Sequence, residues 1–171
     1  MISPALIFLP FVVPIALWVA WSDMKFMKIP NQSVLALALV FAVVGLVAVL
    51  FTDQLAFTDY LWRWSHLAIV LAAGFVANAL RLVGAGDAKF AAAMAPFFAA
   101  ADLNIVLPLF AAILLGAFAA HRGLRLVPAF RNAAPDWQSW TRSDFPMGLA
   151  LSGTLLFYLL FKVFHAVQTQ Q

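Results

Sequence analysis

Two aspartates stand where carboxylates are costly. Asp23 follows the first apolar run, and Asp87 closes the stretch Gly84-Ala85-Gly86-Asp87 between two later ones. The chain has seven acidic side chains, every one an aspartate. An ionisable group at the edge of a hydrocarbon layer implies a function by default. Two that converge can divide the work of peptide hydrolysis between an acid and a base. Neighbouring carboxylates do not both ionise readily, so they share a proton. The ionised member takes a proton from water; the other polarises the scissile carbonyl and assists the leaving amine. That chemistry needs no metal and no cofactor.

Each motif also has a plain structural reading. Gly84 and Gly86 permit unusual dihedrals and close neighbours, as many turns do. Asp87 then opens a helix, whose N-terminus favours an acid. Asp23 in Ser22-Asp23-Met24-Lys25 reads alone as a solvated loop charge. Lys89 anchors charge at the membrane edge, tunes Asp87 or touches substrate. His66, His121 and His165 lie far apart and read as interfacial residues at span ends. The chain has no cysteine, which excludes disulfides, zinc–thiolate sites and iron–sulfur clusters. Asn78 reads as an interhelical hydrogen-bonding group. Gly148 with Ser152, and Gly116 with Ala120, have small-xxx-small spacing and read as helix-packing positions.

The surrounding composition says what must position these groups. The chain of 171 residues is 65% hydrophobic and 10% charged, against about 25% charged for a soluble domain. Its apolar runs are continuous rather than alternating, so they are membrane helices and not barrel strands. Spans are expected near 4–21, 33–51, 65–82, 86–101, 103–120 and 146–166. Six spans take about 120 residues at ~20 each. The fold class is therefore an all-α integral membrane protein of about six transmembrane helices, one polytopic domain over 1–171 with no soluble domain. The N-terminal run lacks a basic flank and reads as a retained span, not a signal peptide.

Pro10 and Pro14 permit kinks in the first span, as do Pro96 and Pro108 in the fourth and fifth. Eight of the ten Lys and Arg residues, all but Arg63 and Lys162, fall in loops on one side. The positive-inside rule places that side, with Asp23 and Asp87, in the cytoplasm and both termini outside. The net charge of +3 thus reflects orientation, and no nucleic-acid partner is expected. The polar stretch 121–145 is either a surface amphipathic element or an irregular basic loop.

Two stretches resemble one family. Asp23, the lysines Lys25 and Lys28, and Ile29-Pro30-Asn31 look like the first signature of the type IV prepilin peptidases. Gly84-Ala85-Gly86-Asp87-Ala88-Lys89-Phe90 looks like the second. Phe145-Pro146-Met147-Gly148 resembles, more loosely, the start of that family's last span. The resemblance implies a membrane aspartic endopeptidase with Asp23 and Asp87 as the catalytic pair. Gly84, Gly86, Lys89, Pro30 and Asn31 would shape the site. It further implies a prepilin substrate cleaved at the cytoplasmic face of the inner membrane, for pilus assembly and secretion. Larger members carry a cysteine-bearing segment that this chain lacks, so it is most similar to the short form of tight-adherence (Flp) systems. The signature says nothing of the oligomeric state.

Two other classes compete. Presenilin-like and signal-peptide-peptidase-like proteases share Gly-x-Gly-Asp, but pair it with a Tyr-Asp and a later Pro-Ala-Leu; no Tyr-Asp occurs here, and the one Pro-Ala-Leu, at 4–6, comes before Gly84 rather than after it. A small transporter or scaffold would use the aspartates as cation ligands. Within the pair, Asp23 at a helix C-terminal end and Asp87 at an N-terminus predict the resting proton on Asp23.

Overall fold

Continuous apolar runs leave the backbone no water to bond, so it bonds to itself as helix. The computed structural model describes residues 4–52 and 54–168. It contains α1 (Pro4–Phe26), α2 (Asn31–Phe51), α3 (Phe57–Ala79), α4 (Ala85–Met94), α5 (Leu103–Arg125), α6 (Pro128–Ala133) and α7 (Met147–Gln168). No strand and no soluble domain is evident among the described residues. Five helices, α1, α2, α3, α5 and α7, are long and apolar enough to cross a membrane. At 1.5 Å per residue they reach about 32–35 Å, enough for a hydrocarbon core of ~30 Å. The chain is a multi-pass membrane protein. Its extreme ends, whose outward placement the charge pattern predicts, lie outside the described residues.

The fourth expected span is not one helix. α4 stops at Met94, and short 3-10 turns follow at Ala95–Phe97 and Ala100–Asp102. Pro96 is the cause: it has no N–H to donate, and its ring crowds the preceding turn. Irregular backbone is tolerated at this depth only inside protein, and residues 92–98 are buried. The Arg63 guanidinium donates to the carbonyls of Pro96 and Phe97, each at 3.4 Å. The Ala99 N–H donates to the Tyr158 hydroxyl at 3.3 Å. Residues 88–102 thus form a broken segment between α3 and α5, held by side chains of α3 and α7.

α3 begins at Phe57, well before the expected start at 65. Its first turns carry aromatics that pack inward. Tyr60 stacks on Phe41 with ring centroids 5.4 Å apart and donates to the Ala42 carbonyl at 2.9 Å. Phe41 also meets Phe8 and Phe97, which makes one aromatic core of α1, α2 and the broken segment. α7 packs mainly on α1, and α3 mainly on α4.

The stretch 121–145 resolves into the end of α5, α6 and a 3-10 turn at Gln138–Trp140. Trp140 is buried and stacks on His121 at 5.3 Å. His121 is therefore a core residue, not an interfacial one. Arg122 donates to the Ser143 carbonyl and Arg125 to that of Arg142, tying 142–143 to α5. Gly116 faces open space, so it is not the packing glycine of α5; Gly153 of α7 meets Ile113 instead.

Candidate active site

α1 does not end before Asp23 as expected. It runs on to Phe26, and Asp23 lies in its last turn, 5% exposed. Met27 ends the helix with a left-handed φ of 52°, its N–H donating to the Asp23 carbonyl at 2.9 Å. The Ser22 hydroxyl donates to the Lys28 carbonyl at 2.9 Å, which folds 27–29 back over the helix end. Pro30 caps α2 with an extended ψ of 136°, and its carbonyl accepts the Ser33 hydroxyl at 2.7 Å. Asn31 opens α2.

The second carboxylate arrives on the α3–α4 turn. Asn78 donates to the Val83 carbonyl at 2.9 Å, so it shapes this turn rather than bridging helices. Gly84 caps α4, and Asp87 lies in its first turn as expected. The glycines serve close approach, not unusual dihedrals. Gly84 has an ordinary φ of −64°, and no described glycine has a positive φ. A Cβ on Gly84 would lie 2.6 Å from Asp87 Oδ2, whereas one on Gly86 would lie 3.4 Å from Ile29 Cβ. Only Gly84 is pressed against a carboxylate.

Asp23 and Asp87 share one cavity of about 520 Å³. Gly84 and Gly86 line it with them. Pro30, Asn31 and Lys89 do not; the Lys89 ammonium donates to Asn31 Oδ1 at 3.3 Å and joins the two motif-bearing turns from outside. The opposite wall comes from the distant segment before α7: Arg142, Asp144, Phe145 and Met147. From there the Gly148 N–H donates to Asp23 Oδ2 at 2.6 Å. Such N–H groups at a helix start have no partner within the helix, which suits them to an anion. A Cβ on Gly148 would lie 3.0 Å from Asp23 Oδ2. Gly148 therefore belongs to the site, where small-residue spacing pointed to packing alone. The Phe-Pro-Met-Gly stretch was its only sequence signal. Asp144 was legible only as a loop carboxylate that could meet a basic leader, and Arg142 only as a basic loop residue.

Asp87 sits at the aqueous mouth of α4, outside the five long spans. Burial, with the neighbouring Asp23 charge second, pushes its carboxyl up to about 6, against the opposing backbone bond from Gly84. Among the described residues neither carboxylate has an ion-pair partner; the ion pair present joins Lys162 to Asp102 far away. No group of three metal-ligating side chains occurs among the described residues. The arrangement is two carboxyls in one cavity, each with a backbone donor, and one of them raised toward neutrality by burial.

A family model described as the type IV leader peptidase family matches residues 10–121, more than half of the chain and both aspartate motifs. The segment bearing Gly148 lies beyond that match. Neither the curated proteins nor the solved structures yield a match.

Proposed function

The chain belongs to the type IV leader peptidase family, and from that premise we propose that it is an aspartic endopeptidase that removes the leader of prepilins of the tight-adherence type. Asp23 and Asp87 are the catalytic pair. The observation that carries this reading is their convergence in one cavity from helices far apart in sequence, with no ion pair to either among the described residues.

In this reading Asp23, held by the Gly148 N–H, is the ionised partner and takes a proton from water. Asp87, with its raised affinity for a proton, polarises the scissile carbonyl and then protonates the leaving amine. This reverses the assignment drawn from helix ends alone, because a direct 2.6 Å backbone donor to Asp23 outweighs a diffuse terminal dipole. A helical peptide bond is shielded, so the substrate enters extended; glycine at the cleavage point eases that.

The pocket end of the bundle carries Lys28, Arg142 and the arginines at the end of α5, whereas Arg63 and Lys162 flank Asp102 at the other end. That asymmetry supports a cytoplasmic active face in the inner membrane. The test is cleavage of a prepilin-type precursor by the purified protein in liposomes, with mass spectrometry of the new N-terminus. Removal of the leader by the parent, and its loss in Asp23→Asn and Asp87→Asn, is the expected result. A parent that leaves the precursor intact, or variants that cut at the parent rate, would end this reading.

A further inference from the structure

α4 is short. Its ten residues span about 15 Å at 1.5 Å per residue, half of what a crossing needs. α3 packs chiefly on α4, and α5 chiefly on α7. Between α3 and α5 this leaves a second cavity of about 510 Å³, floored by Ala88 and Ala91 of α4 and by Ala95 of the turn that follows it. Its lining is apolar save for Thr154 and one charged side chain, Asp87. Asp87 and Met147 line both this groove and the carboxylate cavity, so the two spaces adjoin at these two residues.

The groove's composition separates it from the ordinary lipid-facing surface. α2 shows lipid Leu35, Leu39 and Val43, each more than half exposed. The groove sets small residues among its larger apolar ones, with Ala73, Gly74 and Ala77 of α3 beside Ala88 and Ala91 of α4. Small residues let helix backbones approach closely in a membrane, where packing rather than hydrophobicity drives association.

The geometry points to the α3–α5 groove as the docking site for the membrane-embedded helix of the substrate, seated so that its chain leaves the helix at Asp87 and passes extended into the carboxylate cavity. This inference rests on the leader-peptidase reading and adds where the uncleaved part of the substrate binds. From Asp87 to Phe98 the groove runs about 15–20 Å, room for roughly 10–13 residues of helix. α3 runs antiparallel to α4, with Gly74 against Ala88. Ala77 therefore lies nearer the carboxyl end of the groove and Val70 nearer its far end, where it also borders the Ala95–Phe98 cavity.

The absence of cysteine makes the test direct. Single variants Ala77→Cys, Val70→Cys and, as a lipid-facing control, Leu39→Cys are placed in the Asp23→Asn protein, which holds the precursor uncut. Each is oxidised in liposomes with prepilin-type precursors carrying one cysteine along the apolar helix. Ala77→Cys should crosslink to positions next to the cleavage junction. Val70→Cys should crosslink about seven residues further on, the ~10 Å separation of the two sites along α3. Both yields should exceed that of Leu39→Cys about tenfold, and Ala91→Leu, which fills the floor, should lower them severalfold. Equal yields from Leu39→Cys, no shift of register, or labelling of the groove by a photoactivatable lipid alone would overturn the groove while leaving cleavage by the parent intact. A parent that does not cleave the precursor overturns the leader-peptidase reading itself, and this inference with it.

Discussion

The two ends of the bundle treat the same side chain in opposite ways. Asp102 accepts the Tyr158 hydroxyl at 2.6 Å and pairs with the Lys162 ammonium at 3.0 Å. With Arg63 on the carbonyls of Pro96 and Phe97, it braces the broken segment below the core. Asp23 and Asp87 have backbone donors from Gly148 and Gly84 and, among the described residues, no ion-pair partner. A compensated carboxylate holds structure; two carboxyls that share a cavity without an ion-pair partner are an unrelieved cost, which a protein retains for chemistry. The difference lies in partners, not in residue type.

The comparison is broken most strongly by neutralising each carboxylate in turn. Asp23→Asn or Asp87→Asn should lower cleavage about 10³-fold without loss of fold, read by thermal unfolding in detergent. Asp102→Asn should do the reverse: a near-parental rate, with stability lowered by about 1–3 kcal/mol as Lys162 loses its ion pair and Tyr158 keeps only a neutral amide acceptor.

The glycines come next. Gly84→Ala and Gly148→Ala push a methyl onto Asp87 and Asp23, and should cost about 10–100-fold in kcat by displacing the carboxyls. Gly86→Ala meets only Ile29 at 3.4 Å and should cost much less.

The pH dependence sharpens the contrast further. The Asp87 carboxyl is raised from 3.8 to about 6, so its proton persists into mildly acidic solution and leaves as pH rises through that value. Cleavage should therefore decline on the alkaline side of about 6, by up to tenfold per pH unit as the acid is lost. Because the folded state holds this proton more tightly than the unfolded chain, Asp87 also withdraws stability as pH rises from 3.8 to 6. Asp102→Asn should leave the alkaline limb in place. The smallest effect is expected at the rim. Asp144 lines the cavity and Asp136 does not, so Asp144→Asn should weaken processing of a basic leader by about fivefold at most, the scale of an exposed charge pair near 1 kcal/mol. Asp136→Asn should change nothing measurable.

Local pattern and distant contact explain what the sequence revealed. Asp23, Gly84, Gly86 and Asp87 are legible because each sits in a short motif at the edge of an apolar run, and the helical class follows from hydropathy alone. Gly148 was legible only as a small residue, since its role depends on a contact 125 residues away. The end of α1 was misplaced because Met24-Lys25-Phe26 extends a helix as readily as it leaves one; Met27 ends it by conformation, not by composition. The break after Met94 had a visible cause in Pro96, but not its compensation by Arg63 and Tyr158, which come from other helices. His121 looked interfacial because Arg122 follows it, yet Trp140 folds back to cover it.

The central claim is that Asp23 and Asp87 act as one acid–base unit. A double-mutant cycle on single-turnover cleavage of a prepilin-type precursor tests it most directly, with Asp23→Asn, Asp87→Asn and the pair compared in the same liposomes. Residues that act as a unit are non-additive, so the double variant should be no slower than either single one, all three sharing a loss of about 10³-fold. Losses that multiply, or substantial cleavage surviving in one single variant, would contradict the account.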